Sequence, residues 1–548
     1  MRTSLSLAVL CALALAWVVD PSLAQDKEKV DKRALSEAYG PVKAMIADKK
    51  LVDETVAQIK KCDGLLDYKA AIELLGFFEE TDRAWDSAEG DKNAPKEAKG
   101  RPVAAYKIAT AILDCVRKMA YATEVIKFAE EDDLNNTEKY SLRPRMAMLD
   151  AIARNAGDDE ACMKFLLEYC RDAENKADTD LRILAIHHIA DYPSNSEVPV
   201  ILMVALKDRS WRIRDVAIDA LAKVAGKTSE DQIILALINQ LAVESGKLRE
   251  NLRNALRKIT GERLGTDSDE WSEWFKNKKR SEQGLPEKKG GDKGTRVKVF
   301  KTESFSDRYV FVLDTSVSML KKITDEEKEK LKKSITGEGD EKDPRRPLDW
   351  SLINCKLDLA REEMIRSLEV MDPEKTRFTL ITFAEKVTVW KEELMPTEPK
   401  IVNEVADYLR AIKGGKTTNI WGALDRAYDL SEQIAGVDTD KRKPKKRDKV
   451  VTGPHRDEAL PDTIYLYTDG WATYGKYAGD DKNWQKFSQE EKSKMYHAIM
   501  KEMKEELKDR NRVSRMTIHC IGVGDPQDNY TLKDIASMTR GEYIAIGK

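Results

Sequence analysis

Histidine and cysteine are scarce in this sequence, which has 5 histidines and 7 cysteines among 548 residues. No two cysteines form a Cys-x-x-Cys pair and few histidines lie near them, so the spacing does not indicate a zinc site. The chain also lacks a Gly-x-Ser-x-Gly motif, the turn that presents a nucleophilic serine in many hydrolases. The composition therefore gives no sign of zinc or serine-nucleophile chemistry.

An excess of one charge is also absent. Lysine and arginine total 94 and aspartate and glutamate total 97, which leaves a formal net charge of −3. This balance does not support nucleic-acid binding driven by overall charge, and we expect no nucleic-acid partner. The length suffices for two or three domains.

Long apolar runs are missing except at the N-terminus, where Leu5–Val19 comes after a basic start at Arg2. The run is shorter than the ~20 residues that span a bilayer, and Asp20 and Pro21 end it with a charge and a helix breaker. A small residue, Ala24, precedes a polar junction, as at a signal-peptidase site. We predict a signal peptide over residues 1–24, cleaved near Ala24, and an exported (periplasmic or secreted) protein without a membrane span.

Six cysteines lie beyond this leader. They are Cys62, Cys115, Cys162, Cys170, Cys355 and Cys520. Disulfides are permitted in an exported protein, but buried free thiols agree equally well with the sequence, and both states stay open.

Helical periodicity dominates the first half of the chain. Residues 25–140 show apolar residues at three- and four-residue spacing and predict a helical domain. Over residues 141–276 an apolar residue or proline followed by arginine recurs at intervals of 37, 32 and 35 residues. A period of this size indicates stacked helix pairs. The pattern resembles HEAT repeats, in which the arginine of each unit braces its neighbour.

Two tryptophans lie just after the last repeat. Trp271 and Trp274 fall on one helix face, and we interpret them as a cap on the end of the repeat array. Residues 277–296 are rich in lysine and glutamate and low in apolar residues, which predicts a flexible linker.

Strands and helices alternate over residues 297–548, which predicts a doubly wound α/β domain with a mostly parallel sheet. The apolar run from Tyr309 to Leu313 ends in Asp314-Thr315-Ser316-Val317-Ser318. One carboxylate and two hydroxyls can converge there, at the sheet edge where α/β proteins bind ligands. Oxygen ligands of this kind suit a hard cation such as Mg2+ or Mn2+.

Two later stretches extend this pattern. Thr418 lies on a glycine-rich turn that leads into a helix, and Asp469 ends a second buried strand in Thr463–Gly470. Together these loops resemble the von Willebrand factor A (VWA) domain and its metal-ion-dependent adhesion site. Many bacterial relatives have glycine where this chain has Val317; if that position needs a left-handed backbone, valine would strain the loop.

The resemblance implies one divalent cation, Mg2+ or alternatively Mn2+ or Ca2+. The implied ligands, direct or through water, are Asp314, Ser316, Ser318, Thr418 and Asp469. An open coordination position would accept an acidic side chain of a protein partner. The combination of a signal peptide, HEAT-like repeats and a VWA domain resembles exported bacterial proteins.

Two insertions come directly after strands that lead to the metal edge, Leu320–Trp350 and Trp471–Asn483. Exposed aromatic residues are favoured in recognition surfaces. We therefore predict a partner-binding rim, with the alternative that the insertions only cover their own domain. Its residues are Trp471, Tyr474, Tyr477 and Trp484.

These features favour a cation-dependent binding protein for adhesion or assembly, and we expect no enzymatic activity. The alternative is a scaffold whose repeats bind the partner while the metal only stabilises the VWA fold. A hydrolase using Ser316 or Ser318 would need a nearby base, and the histidines of the domain are poorly placed for that role.

Overall fold

The computed structural model describes residues 30–48, 52–90, 102–171, 178–282, 297–299, 302–304, 306–335, 345–434, 460–469, 488–523 and 529–546. They belong to two compact units, Met1–Leu181 and Arg182–Lys548. The predicted signal peptide lies outside the described residues. Within them, no helix combines the length and apolar character that a membrane crossing requires.

The first unit is helical. Its helices are α1 (Lys32–Asp48), α2 (Val52–Lys60), α3 (Tyr68–Gly90), α4 (Pro102–Arg117), α5 (Ala122–Val125), α6 (Lys127–Glu130), α7 (Leu142–Asn155), α8 (Glu160–Arg171) and the start of α9 (Thr179–Ile189). Helix α7 packs on α4, where Arg117 Nε lies 3.1 Å from Asp150 Oδ2. This packing places the first repeat helix in the same compact unit as the helices before it.

The second unit begins with five further helices after α9. They are α10 (Glu197–Ala205), α11 (Trp211–Val224), α12 (Glu230–Leu241), α13 (Gly246–Thr260) and α14 (Ser268–Glu282). Helix α11 packs on α10 and α13, and α12 packs on α13 and α14.

Three of the four arginines at the repeated positions pair with an acidic residue 26 to 33 positions later, within their own unit, and the fourth, Arg249, donates to the Thr266 carbonyl. Arg145 Nη1 lies 2.7 Å from Asp178 in the first unit. In the second, Arg182 Nη1 lies 2.7 Å from Asp208 and Arg214 Nε lies 2.6 Å from Glu244. These ion pairs supply the bracing role that the repeat pattern suggested.

The end of the repeat segment differs from the predicted linker. Helix α14 continues to Glu282, so residues 277–282 are helical. The physical reason is that Lys278 and Lys279 both reach Asp231 on α12, which ties the last turns to the repeats. Trp271 is fully buried and donates from Nε1 to the Gly265 carbonyl at 2.8 Å. Its role as a cap on the repeat array stays a prediction.

The C-terminal part of the unit contains the predicted sheet. Its strands are β3 (Arg308–Asp314), β4 (Arg377–Phe383), β5 (Val387–Val389), β6 (Met395–Pro396), β7 (Thr463–Thr468), β8 (Thr517–Val523) and β9 (Tyr543–Ile546), preceded by a small hairpin of β1 (Val297–Val299) and β2 (Thr302–Ser304). The order is β5-β4-β3-β7-β8-β9, and β3, β4, β7, β8 and β9 run parallel. The chain leaves β3 for β4 on one side and returns to β7 on the other. The carboxyl ends of β3 and β7 are therefore neighbours at a topological switch point.

Helices cover both faces of this sheet. They are α15 (Asp325–Ile335), α16 (Lys356–Leu368), α17 (Pro399–Ala411), α18 (Ile420–Ile434), α19 (Gln489–Ser514) and α20 (Asn529–Met538). Phe311 and Leu313 of β3 join Leu357 and Leu409 in one buried core. Both predicted fold classes are confirmed: the N-terminal region is mostly helical, and the C-terminal sheet is mostly parallel.

The six cysteines among the described residues are free thiols, and five of them are buried. Burial raises the pKa of Cys62 to about 11 and that of Cys162 to about 12, with smaller contributions from nearby aspartates. These thiols are packed as small apolar side chains.

Candidate metal centre

The centre is built around Asp314, the last residue of β3. Its side chain is completely buried, because β3 is an interior strand with β4 on one side and β7 on the other. Asp314 Oδ1 accepts a hydrogen bond from the Ser316 backbone N–H at 2.8 Å. Asp314 Oδ2 accepts one from the Thr468 hydroxyl of β7 at 2.7 Å. Both oxygens are therefore fixed by groups that do not depend on a ligand.

The two serines connect Asp314 to the neighbouring strand. Ser316 Oγ and Ser318 Oγ lie 3.0 Å apart, and Ser318 Oγ donates to Asp469 Oδ1 at 2.8 Å. Asp469 directly follows β7 and is nearly buried. The structure thus brings together four of the five residues predicted from sequence in one hydrogen-bonded group.

The fifth, Thr418, lies on the loop before α18. This loop joins the first loop through a parallel bridge between Gly415 and Ser316, in which the Gly415 N–H donates to the Thr315 carbonyl at 2.8 Å. Thr418 itself is buried, 5% exposed. Its neighbour Thr417 has a buried hydroxyl without a hydrogen-bond partner among the described residues.

Glycines allow this close approach of the loops. A Cβ on Gly415 would stand 2.3 Å from the Ala384 Cβ, and one on Gly414 would stand 2.4 Å from Leu320 Cδ1. Neither separation is possible between carbon atoms. At position 415 the neighbour is a fixed Cβ, so glycine is needed there to hold Thr418 near the serines, whereas at position 414 the end of the exposed Leu320 side chain can shift.

We expect Gly415→Ala to lower the free energy of unfolding by about 1–3 kcal/mol, since the loop must move away from Ala384 to admit a methyl group. Urea denaturation followed by circular dichroism measures this change. Gly226→Ala is the matched control, because nothing lies within 4 Å of its added Cβ. Equal stability of the two variants would show that the loop tolerates displacement.

Val317 does not strain its loop. It begins a short 3-10 helix, Val317–Leu320, and is not among the residues with positive φ. A β-branched residue is therefore acceptable here, and Val317 is 60% exposed. The left-handed conformation that would have opposed valine does not occur.

Burial dominates the electrostatics of Asp314. It raises the pKa of this carboxyl to about 7; hydrogen bonds from Thr468 and Ser316 oppose the rise, and the charge of Asp469 adds to it. Two carboxylates this close and this little solvated favour a positive charge between them.

Two residues of this group were not foreseen from the sequence. Thr468 is the last residue of β7 and directly precedes Asp469; the strand is a continuous run of buried residues, so Thr468 gave only a core signal. Lys356 Nζ lies 3.2 Å from Asp469 Oδ2, although 113 residues separate them. Spacing along the chain contains no signal for the second contact.

The predicted partner-binding rim, Trp471, Tyr474, Tyr477 and Trp484, lies outside the described residues. Much of the insertion Leu320–Trp350 is described. Leu331 and Leu348 are buried in the core of the domain, and Arg345 Nη1 lies 2.6 Å from Glu363. These parts of the insertion cover their own domain.

The oxygen atoms available as metal ligands at this site fit a hard divalent cation. Two carboxylates and three hydroxyls, all oxygen, occupy adjacent loops of one sheet edge. No group of three or more His, Cys, Asp or Glu side chains able to hold a metal occurs in the described parts of the chain. Site and fold together define a doubly wound α/β domain with an oxygen-lined centre at its carboxyl edge.

Residues 360–546 match the family model of the von Willebrand factor type A domain. The human von Willebrand factor A domain-containing protein 3B is 26% identical over 110 residues, which are 20% of this chain and 8% of the human protein. The chain thus spans under a tenth of that relative.

Two solved bacterial structures also show similarity. One is an aerotolerance-related membrane protein from Bacteroides fragilis, 14% identical, with a TM-score of 0.22, over 43% of this chain and 90% of that one. The other is BatB from Bacteroides thetaiotaomicron, 12% identical, with a TM-score of 0.22, over 44% and 90% of the two chains.

The C-terminal region of this chain is a VWA domain. The matched residues include Thr418 and Asp469 but begin after Asp314. Strand β3, which carries Asp314, pairs with β4 and β7 at the centre of the same sheet.

Proposed function

We propose that this protein is an exported, non-enzymatic binding protein that holds a divalent cation in its VWA domain and uses it to bind a protein partner. The observation that carries the proposal is the convergence of Asp314, Ser316, Ser318 and Asp469 within hydrogen-bond distances, beside the buried Thr418. VWA domains typically mediate protein interaction, which agrees with this use of the site.

The five predicted residues would hold the cation, Mg2+ or alternatively Mn2+ or Ca2+, directly or through water. When bound, the cation would supply a localised positive charge to which a carboxylate of the partner binds. The chain contributes a rigid frame, because Asp314 is already oriented by Ser316 and Thr468. Ser318 is exposed and lies at the opening of the site.

We expect the full chain to bind Mn2+ at one saturable site, measured by the electron paramagnetic resonance signal of free Mn2+. Ser318→Ala and Thr418→Val should each weaken binding by about 10–100-fold, the range found when groups around a metal are removed. Ser272→Ala is the control, because its hydroxyl donates to the Ser268 carbonyl within α14. Unchanged affinity in both site variants would contradict the proposal.

The partner is tested with a pair of peptides that differ only in one aspartate or asparagine. The aspartate peptide should bind in Mn2+ and lose binding in EDTA, and the asparagine peptide should bind in neither. Binding of both peptides in EDTA would contradict a metal-dependent contact.

A second candidate function places the partner on the repeats. Val200 and Val204 are 56% and 66% exposed, one turn apart on α10, and Val243 after α12 is 74% exposed. Exposed apolar side chains on α10 and just after α12 are suited to contact with a protein partner. Partner binding that survives EDTA but is lost in Val204→Asp would favour this alternative.

A further inference from the structure

We propose that Lys356 is a built-in competitor of the divalent cation, which weakens metal binding and keeps the domain folded without metal. The inference rests on the proposed metal site and adds its regulation. It starts from one contact: Lys356 Nζ lies 3.2 Å from Asp469 Oδ2, with the two side chains 14% and 9% exposed.

The backbone of Lys356 is firmly placed. It is the first residue of α16, whose start is fixed by Asp358 accepting hydrogen bonds from the Asn354 and Cys355 N–H groups at 3.0 and 3.1 Å. Ile353 and Leu357 on either side are fully buried. The helix start therefore fixes the position from which the Lys356 side chain reaches Asp469.

The position is unfavourable for a lysine in isolation. The first turn of a helix has a positive electrostatic potential, which favours acidic side chains and disfavours cations. Lys356 nevertheless extends from that turn toward the acidic centre. The carboxylate of Asp469 compensates for the unfavourable helix end, so the pair depends on the charge of the site.

The geometry makes the ammonium and a metal ion compete. Asp469 Oδ1 accepts from Ser318 and Oδ2 lies beside the Lys356 ammonium, so each oxygen already has one contact from the chain. A divalent cation held by Asp469 would lie within a few ångströms of the ammonium charge. Low exposure limits screening by water and salt, so the repulsion is felt strongly.

The same contact stabilises the metal-free domain. Asp314 and Asp469 place two carboxylates in one little-solvated site, and Lys356 offsets one of these charges. The domain can therefore lose its cation and stay folded. Metal occupancy would then follow the cation concentration around the protein.

The test measures Mn2+ affinity of the full chain by the signal of free Mn2+. Lys356→Met keeps the length of the side chain and removes the charge, and we expect the dissociation constant to fall at least about tenfold. Lys356→Arg keeps the charge and should restore the native value. Lys416→Met removes an exposed lysine from the loop of Thr418 and should change affinity less than about twofold, because solvent screens its charge.

A thermal melt supplies a second readout. Without metal, Lys356→Met should melt below the native chain, and saturating Mn2+ should raise its melting temperature more than that of the native chain. If native chain and Lys356→Met bind Mn2+ equally, the inference is overturned and the metal site stands. If neither the native chain nor any of the variants binds Mn2+, the proposed function itself fails.

Discussion

Asp215→Ala is expected to lower the free energy of unfolding of the C-terminal unit by about 3–5 kcal/mol, the usual result of removing one partner from a buried ion pair. Asp215 lies on α11 and is completely buried. Its Oδ2 is 2.7 Å from Arg515 Nε and 2.6 Å from Arg540 Nη2, which belong to the segments before β8 and β9. The variant would leave two guanidinium groups in a poorly solvated site.

Further contacts tie the repeat helices to the sheet at the same place. Lys247 of α13 is buried and donates to the carbonyls of Arg515 and Asp462. Burial, opposed by Asp215, lowers the pKa of Lys247 to about 8. The pKa of Asp215 is held well below its usual range: burial favours the neutral acid, but Arg515, Arg540 and Lys247 outweigh it. The network is electrostatically coupled, so loss of one charge affects the others.

The backbone conformations of Arg515 and Arg540 indicate that their ion pairs with Asp215 have a specific role. Arg515 and Arg540 have φ of 59° and 62°, just after α19 and α20 end. Glycine is usual at such helix ends because other residues pay a steric cost there. The ion pairs with Asp215 and the partly exposed Asp219 offset this cost.

The prediction is checked by urea denaturation and by hydrogen exchange of α11 and β8. Protection should fall in both elements together, since Asp215 joins them. Asp219→Ala is the control: its side chain is 43% exposed, and such pairs contribute about 0–1 kcal/mol. Equal losses in the two variants, or a loss confined to α11, would contradict a shared buried contact.

Elements with a strong local pattern were predictable. The apolar run Tyr309–Leu313 lies within the observed strand Arg308–Asp314, and the buried strand predicted within Thr463–Gly470 is observed as Thr463–Thr468. Buried parallel strands are continuous apolar runs, and each is short enough for its ends to be visible in sequence. Asp314 and Asp469 were predicted to meet because parallel strands end at one sheet edge, and they share the serine group.

Contacts between distant parts of the chain were not predictable. The pairing of Asp215 with Arg515 joins positions 300 residues apart, and that of Lys356 with Asp469 joins positions 113 apart. Each of these residues, taken alone, resembles an ordinary charged residue of the protein surface. Sequence periodicity describes only the local helix or strand, so it does not reveal contacts between distant elements. The predicted linker showed a related error at residues 277–282, where Asp231 on α12 stabilises a helix that composition did not favour.

Glu363→Ala is expected to destabilise the VWA domain by about 3–5 kcal/mol. Glu363 lies on α16, is completely buried, and accepts from Arg345 at 2.6 Å and from Arg366. Arg345 belongs to the first insertion, so this carboxylate fastens the insertion to the helix. The bridge between Lys322 and Cys355 fastens the other side. Removing Glu363 would leave two buried guanidinium groups without this carboxylate and would loosen one attachment.

Thermal unfolding and limited trypsin digestion together test this expectation. Glu363→Ala should lower the melting temperature and speed cleavage within 320–350, because Arg345 loses its acidic contact there. Glu369→Ala removes a carboxylate from the same helix end, but that side chain is 36% exposed beside Arg346, so a change of about 0–1 kcal/mol is expected. If Glu363→Ala lowers stability without faster cleavage, the insertion is held by its apolar residues Leu331 and Leu348. If neither quantity changes, the buried charges of α16 do not stabilise the fold, and the insertion is held in place by other contacts.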